Sequence, residues 1–172
     1  SVVSPGEFNF AAAFLDHGHI YGQTNGLLEA GGTLCSVFDP DDARVRAFCE
    51  KFPQVRVASS FDEILNDQSL HLVASAAIPD QRAGVGHQVI EAGKDYFTDK
   101  SPFTTMDQLE QIKSLVNDTG RKYLVYYAER VHNEAAWHAG ELIAPGTYRR
   151  GCPGTQSCAT PVICAGQASL VF

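Results

Sequence analysis

One stretch of the chain, residues 9–39 (NFAAAFLDHGHIYGQTNGLLEAGGTLCSVFD), restricts the possible folds more than any other. Its apolar run Phe10–Leu15 has the length of a buried parallel strand and stops at a polar turn that contains a glycine. From Ile20 onwards, apolar and small residues recur at helical spacing until the Gly31–Gly32 pair, which is typical of a helix end. Thr33–Phe38 then predicts a second strand. Strand, turn, helix and strand within about 30 residues indicate a βαβ unit.

The second predicted strand is followed directly by Asp39. A βαβ unit that ends in an acidic residue is typical of dinucleotide-binding domains, in which the pyrophosphate lies at the N-terminus of the helix and the carboxylate binds a ribose. The sequence therefore predicts dinucleotide binding, with Asp39 at the ribose. The same carboxylate is also a candidate N-cap of the next helix, and the two roles are compatible.

Beyond Asp39, predicted strands and helices alternate strictly, with connections of helix length. The apolar strand that ends before Pro79 has small side chains almost throughout, as expected for a central strand covered on both faces. We therefore predict an α/β fold, a doubly wound and mostly parallel Rossmann sheet with right-handed crossovers. The predicted elements are a helix over 40–52, strand Val55–Ala58, a short helix that starts at Ser60 with Glu63 as its capping partner and ends near Asn66, strand Leu70–Ala77, helix Arg82–Ala92, strand Tyr96–Thr98, a helix from Thr105 to Gly120 and strand Tyr123–Tyr127.

The C-terminal part of the chain differs in character. Residues Asn133–Ile143 predict one more helix, whereas the segment after Pro145 is rich in Gly, Pro, Ser, Thr and Cys and shows no helical period. We expect a Rossmann domain over residues 1–144 and an irregular tail over residues 145–172.

Composition argues against several classes of function. A formal net charge of −7 disfavours nucleic-acid binding, which requires clustered Lys and Arg. No apolar run approaches the roughly 20 residues of a membrane helix, and the N-terminus lacks the basic start and long apolar stretch of a signal peptide. We therefore expect a soluble, cytoplasmic protein with neither nucleic acid nor membrane among its partners.

The cysteines predict no metal centre. Cys35 and Cys49 lie in apolar or amphipathic contexts, where small buried residues are expected. Cys152, Cys158 and Cys164 are spaced six apart, but no CxxC pair or downstream His completes a zinc pattern.

Five short motifs occur in an order and spacing that no single motif could provide. They are DHGHIYG (residues 16–22), Asp39, Ile78-Pro79-Asp80, Ala92-Gly93-Lys94 and Asp99-Lys100-Ser101. With them, residues 11–143 resemble the nucleotide-binding half of the Gfo/Idh/MocA oxidoreductases, the glucose-fructose oxidoreductase and inositol dehydrogenase family. That family has a Gly-rich first turn, an acid after the second strand, a Thr-Pro-Asn-like end to the fourth strand, an Ala-Gly-Lys motif and a Glu-Lys-Pro motif.

The resemblance implies a nicotinamide cofactor and the oxidation or reduction of a carbonyl–hydroxyl pair, commonly on a sugar or polyol. It implies that Lys100 is catalytic, because an ammonium beside the nicotinamide can hydrogen-bond the substrate oxygen whose charge grows during hydride transfer. The alternative for Lys100 is a solvated loop charge. Asp39 favours NAD over NADP by repelling a 2′-phosphate, while Arg44 and Arg46 leave NADP open. The cofactor-binding residues that the resemblance implies are Asp16, His17, Gly18, His19, Ile20, Asp39, Ala77, Pro79, Asp99 and Lys100.

The first turn departs from the GxGxxG pattern. Asp16 replaces the first glycine and Tyr21 replaces the third, which puts a carboxylate and a bulky ring where the family has neither. Gly18 keeps the middle position, at which the backbone approaches the pyrophosphate, and Gly22 lies one place late.

Two further departures concern charge. His17 and His19 form an HxH pair, but the sequence offers no third ligand, so we expect imidazoles that face the phosphates and no metal site. Asp80 stands where the family usually has Asn, and Ser101 separates Lys100 from the proline that normally follows it.

The resemblance fades near Gly146, and the antiparallel sheet domain that supplies the family's substrate pocket and general acid/base is not recognisable. Local candidates for acid/base duties are Glu129, Arg130, His132 and His138, each also typical of a helix cap or a surface residue. Two functions therefore stay open. One is an NAD(P)-dependent oxidoreductase, or its cofactor-binding half, with a small-molecule substrate. The other is a catalytically inactive, truncated Rossmann module that binds a nucleotide or a protein partner. An apolar surface left by the missing domain makes a homodimer possible.

Overall fold

The computed structural model describes residues 2–4 and 6–127. These residues alternate between strands and helices in the order β1 (Asn9–Ala13), α1 (His19–Glu29), β2 (Thr33–Phe38), α2 (Asp42–Lys51), β3 (Arg56–Val57), α3 (Phe61–Asn66), β4 (Leu72–Ser75), α4 (Arg82–Glu91), β5 (Asp95–Asp99), α5 (Met106–Thr119) and β6 (Tyr123–Tyr126). None of these helices is both long enough and apolar enough to cross a bilayer. Several predicted features lie outside the described residues. They are the helix Asn133–Ile143, the boundary at residue 144, the tail, the acid/base candidates Glu129, Arg130, His132 and His138, and the cysteines Cys152, Cys158 and Cys164.

Within the described residues, the strands form one fully parallel sheet in the order β3-β2-β1-β4-β5-β6. The chain runs outward from β1 to β3, returns to the other side of β1 and runs outward again to β6. Ala12 at the centre pairs with Val37 of β2 and with Ala74 of β4. This order confirms the predicted doubly wound Rossmann fold, and it places the crevice of the topological switch point at the carboxyl ends of β1 and β4.

Several strand ends differ from the predicted bounds. β1 stops at Ala13 instead of Leu15, because Phe14 adopts a positive φ of 57° and leaves the extended conformation. β4 is shorter than Leu70–Ala77, since the Leu70 amide bonds within a turn to Asp67 and the Ala77 amide donates to the Ser75 hydroxyl. β5 continues to Asp99, whose backbone pairs with Tyr126. The last difference places Asp99 at the carboxyl end of the sheet, where the predicted site residues lie.

The hydrophobic core is divided between the two faces of the sheet. On one face, Phe10, Ile20, Val37 and Phe48 belong to one cluster of buried side chains from β1, α1, β2 and α2. Elsewhere in the core, the rings of Tyr96 and Tyr123 stack edge to face with centroids 5.1 Å apart. Burying aromatic and aliphatic area against both faces fixes the sheet that carries the site.

Both described cysteines are less buried than predicted. Cys35 and Cys49 are free thiols of intermediate exposure. Among the apolar side chains of α2 and its C-cap, Val45 and Phe48 are buried, whereas Cys49 and Phe52 are only partly buried. Burial raises the pKa of the Cys35 thiol, so that the thiol stays protonated at neutral pH.

Helix caps largely follow the sequence pattern. Ser60 caps α3 by accepting the Glu63 amide at 3.1 Å, as predicted, but the Glu63 carboxylate bonds the amide of Ser59 instead of the amide of Ser60. Thr105 caps α5 and forms a complete capping box with Gln108. These local bonds hold the helices that follow β3 and β5 at fixed starting points.

Candidate functional site

The predicted site residues gather at the carboxyl edge of the sheet. Because the strands are parallel, the turn after β1, the residue after β2, the segment after β4 and the end of β5 meet there. Backbone bonds join these ends: Phe14 donates to Phe38 at 3.1 Å, and His17 donates to Ala76 at 3.1 Å. The predicted groups therefore share one crevice, although their side chains play different parts in it.

Helix α1 begins at this edge, with Gly18 as its N-cap residue. Gly18 has no side chain to cap the helix, but the preceding His17 accepts the His19 amide at its Nδ1 at 3.2 Å. A Cβ added to Gly18 would meet nothing within 4 Å, and its φ of −60° suits any residue. Protein packing therefore does not require glycine here. The open space lies at the N-terminus of α1, where the helix dipole favours an anion.

Tyr21 and Gly22 explain how a bulky ring fits where the pattern calls for a third glycine. The Tyr21 ring stacks on Phe48 with centroids 5.8 Å apart, and Lys51 Nζ lies over the Tyr21 ring, 5.4 Å from its centroid. A Cβ on Gly22 would lie 2.6 Å from the hydroxyl of Tyr126 in β6. The helix thus approaches the Tyr126 side chain closely at Gly22, one position later than the third glycine of the pattern. Ile20 packs in the core and is 1% exposed, so its side chain does not line the crevice.

Asp39 lies at the end of β2 as predicted, with its side chain buried. Its carboxylate accepts the Leu15 amide at 2.6 Å and the Asp41 amide at 2.8 Å. The prediction that Asp39 caps α2 is wrong: Asp41 is the N-cap residue, and it accepts the Ala43 amide at 2.8 Å. Asp39 instead ties the end of β2 to the turn after β1.

Arg44 covers this carboxylate. Its Nη1 lies 2.7 Å from Asp16 Oδ1 and 3.4 Å from Asp39 Oδ1. Asp16, which replaces the first glycine of the pattern, therefore has a cation as its partner. The Arg44 side chain is 40% exposed, and its guanidinium lies within ion-pair distance of both acids.

A buried arginine organises the other end of the crevice. Arg82, at the start of α4, donates to Ala77 O at 2.7 Å, to Lys100 O, to Ser101 O at 3.1 Å and to Asp99 Oδ2 at 3.3 Å. Sequence reasoning did not identify this residue. The available signal was an Arg in the first turn of an apolar helix, where the helix dipole disfavours a cation.

Lys100 follows β5 directly and is partly buried. Its amide donates to Asp99 Oδ1 at 2.8 Å, and the Lys100–Ser101 peptide bond is cis. Pro79 is exposed on the neighbouring segment, while Ala77 is buried beneath it. The backbone that carries Lys100 is thus held on both sides, by Asp99 and by Arg82.

His17 and His19 both face Asp99. His19 Nδ1 lies 2.9 Å from Asp99 Oδ1, and His17 Nδ1 lies 3.5 Å from Asp99 Oδ2. The centroids of the two imidazole rings are 4.3 Å apart. The sequence could not reveal this trio, because His19 and Asp99 are 80 residues apart.

The Ala92-Gly93-Lys94 motif lies away from this crevice. Gly93, with a φ of 77°, follows α4, and Lys94 precedes β5 at the amino edge of the sheet. Lys94 is 1% exposed, and burial lowers the pKa of its ammonium. This motif contributes to the fold rather than to the site.

Comparisons with known proteins agree with this architecture. Residues 9–127 match the family described as an oxidoreductase family with an NAD-binding Rossmann fold. A solved structure from Erwinia carotovora atroseptica SCRI1043, assigned to the oxidoreductases, is 41% identical with a TM-score of 0.77, over 81% of this chain and 42% of that one. None of the curated proteins matches the sequence.

Two more distant structures contain ligands. The WlbA dehydrogenase from Chromobacterium violaceum, in complex with NADH and UDP-GlcNAcA, is 19% identical with a TM-score of 0.70, over 84% of this chain and 42% of that one. The WlbA (WbpB) dehydrogenase from Thermus thermophilus, in complex with NAD and α-ketoglutarate, is 16% identical with a TM-score of 0.68, over 80% and 47%. At these identities the likeness is one of fold, and the chain spans less than half the length of each of these structures.

Proposed function

The chain belongs to the oxidoreductase family whose NAD-binding domain has the Rossmann fold, and on that premise we propose that it binds a nicotinamide dinucleotide at the carboxyl edge of its sheet and serves hydride transfer to or from a small carbonyl or hydroxyl substrate. The observation that carries the proposal is the convergence of the Gly18 turn, Asp39 and Lys100 on one switch-point crevice. Each group stands at the end of a different strand.

The dinucleotide would lie across three parts of this edge. The turn at Gly18–Ile20, at the N-terminus of α1, would receive the pyrophosphate, supported by the open space beside Gly18. The amides of His19 and Ile20 donate to His17 and would exchange those bonds for the phosphate. Asp39 would receive the adenosine ribose. Pro79 and Lys100, beyond β4 and β5, would border the nicotinamide.

Lys100 would perform the catalytic positioning. When bound, the nicotinamide supplies the hydride donor or acceptor. The Lys100 ammonium would donate a hydrogen bond to the substrate oxygen, on which negative charge grows as a carbonyl is reduced. Support comes from the fixed backbone of this residue, because its amide bonds Asp99 and its carbonyl accepts from Arg82.

We propose NAD as the cofactor, with NADP as the alternative, because the Asp39 carboxylate would repel a 2′-phosphate whereas Arg44 beside it would attract one. For the substrate we propose a sugar-like or polyol-like molecule. This choice is supported by family membership and by the nucleotide-sugar complex of the WlbA relative. A soluble cytoplasmic location and a homodimer remain parts of the same proposal.

The test is a titration of the full chain with NAD, NADH, NADP and NADPH, followed by melting temperature and calorimetry, and then a turnover screen with sugars and polyols. We expect a cofactor-specific rise in melting temperature. Lys100→Met should keep the NADH affinity within about threefold but lower turnover by about 100-fold or more. Lys113→Met, which removes an exposed lysine of α5, should leave both unchanged. An unchanged melt with all four dinucleotides at millimolar concentration would refute the proposal.

A further inference from the structure

We propose that His17, His19 and Asp99 form a binding site for one divalent transition-metal ion of the zinc class. The site joins the turn between β1 and α1 to the end of β5. It goes beyond dinucleotide binding and does not depend on it. The observation behind it is a cluster of two imidazoles and one carboxylate whose ligand atoms all lie within 4.8 Å of one another.

The distances within the cluster suit a shared ion. A metal bonded at about 2.0–2.2 Å to each ligand in tetrahedral geometry separates its donor atoms by about 3.3–3.6 Å. The two imidazole nitrogens lie 2.9 and 3.5 Å from the oxygens of Asp99. Binding therefore requires shifts of less than about 1 Å at these two pairs, and the rings can supply them because they stand on a turn at a helix start.

His17 Nδ1 accepts a hydrogen bond from the His19 amide at 3.2 Å, so this nitrogen presents a lone pair. The ion would take that lone pair, and the bond from the His19 amide must therefore break when the metal binds. Coordination through His19 Nδ1, which lies 2.9 Å from Asp99 Oδ1, requires the ring proton on Nε2 in the bound state.

Asp99 is held in place from the protein side. Its Oδ1 accepts the Lys100 amide at 2.8 Å, and its Oδ2 accepts from Arg82 at 3.3 Å. A carboxylate has about four lone-pair positions, so one remains on each oxygen for the side that the imidazoles occupy. Partners of this kind orient a ligand and strengthen metal sites. Arg82 also neutralises Asp99, which means that the ion must gain most of its affinity from nitrogen ligands.

The ligand set selects the class of metal. Imidazole nitrogens with one carboxylate suit zinc, cobalt, nickel or copper, whereas magnesium and calcium prefer oxygen ligands. The His17 side chain is 54% exposed, so ions can enter from solvent. Three protein ligands leave at least one coordination position open to water or to an anionic oxygen.

Zinc binding to the full chain tests the proposal, measured by calorimetry and by metal content after dialysis. The background protein carries Cys152→Ser, Cys158→Ser and Cys164→Ser, because those thiols could bind zinc independently. His17→Gln and His19→Gln remove one ligand each at exposed or partly exposed positions. His87→Gln is the matched control, because it removes a histidine of α4 that lies 3.2 Å from Glu91 on the surface.

We expect one zinc equivalent that His87→Gln retains. Loss of an outer partner of a metal ligand weakens binding by about 10–100-fold, so loss of either ligand should weaken it at least as much. Equal melting temperatures of the variants in EDTA would show that folding is intact. The proposal is overturned if the background protein binds no zinc at micromolar concentrations, or if His17→Gln and His19→Gln bind it as tightly as His87→Gln. Dinucleotide binding is scored separately with NADH in EDTA, so that failure of one proposal is distinguishable from failure of the other.

Discussion

Arg82 and Asp99 form a buried ion pair in which Arg82 Nη2 lies 3.3 Å from Asp99 Oδ2 and both side chains are less than 5% exposed. The same guanidinium bonds the carbonyls of Ala77, Lys100 and Ser101, and therefore joins the end of β4 to the segment after β5. A charge buried this deeply is stable only with such a complete set of partners. The pair therefore determines both the stability of this edge and the position of the Lys100 backbone.

Removing the Arg82 guanidinium should destabilise the protein. We expect Arg82→Met to lower the free energy of unfolding by about 3–5 kcal/mol, because it leaves Asp99 buried without its cation and removes the Arg82 hydrogen bonds to three carbonyls. Arg82→Lys should lose part of that amount, since an ammonium cannot span the same partners. Urea denaturation measures both, with the exposed Arg121→Met as control. Equal losses for Arg82→Met and Arg121→Met would contradict the structural role of Arg82.

Two glycines of α4 should respond to alanine in opposite directions. A Cβ on Gly86 would lie 2.6 Å from the Tyr123 ring and 2.7 Å from the Tyr96 ring, and both rings are fully buried. We expect Gly86→Ala to destabilise the protein by about 1–3 kcal/mol through overpacking. Gly84 meets nothing within 4 Å, so Gly84→Ala should stabilise it by about 0.5–1 kcal/mol through helix propensity. Thermal and urea unfolding of both variants check the contrast, and a stabilised Gly86→Ala would refute the predicted close packing.

The fold could be predicted from sequence because its determinants are local. The apolar run of β1, the single turn before α1 and the acid after β2 lie within residues 9–39, and hydrophobic periodicity identifies each element. Strand ends were predicted less well. The positive φ of Phe14, which ends β1, belongs to a residue type that rarely adopts it, so no local rule predicts it.

The candidate site was predicted in position but not in its contacts. Arg82 meets Asp99 across 17 residues, and His19 meets it across 80, so only the assembled sheet brings them together. The same limit explains the wrong cap at α2. The Asp39 carboxylate is occupied by the Leu15 amide of the neighbouring turn, 24 residues away, and the cap passes to Asp41. Patterns within one segment contain no information about such partners.

Cofactor preference should depend on the charge of Asp39. Asp39→Asn keeps the shape of the side chain and removes the negative charge, so we expect the affinity for NADPH relative to NADH to rise about tenfold, equivalent to about 1.4 kcal/mol. Arg44→Ala should change the same ratio in the opposite direction, because it removes the cation beside Asp39. Calorimetric titrations with both reduced dinucleotides measure the ratio. Asp41→Asn, which alters the neighbouring cap residue, serves as control, and an equal shift in that variant would contradict a specific role for Asp39.

Acid sensitivity should involve the start of α3. The amide and hydroxyl of Ser59, together with Arg56, lower the pKa of Glu63 to about 2. Because the folded pKa lies below the unfolded value near 4.3, this carboxylate stabilises the fold above that value and loses its contribution as pH falls towards 2. Glu63→Gln should therefore lower the melting temperature at pH 6 and flatten the decline of the melting temperature below pH 4.5. Part of that decline should persist in the variant, because hydrogen bonds from Ser69 also lower the pKa of Asp67. Glu110→Gln is the control, because it changes the net charge equally at an exposed site. Parallel acid profiles for the two variants would show that the Ser59 and Arg56 contacts of Glu63 do not stabilise the protein.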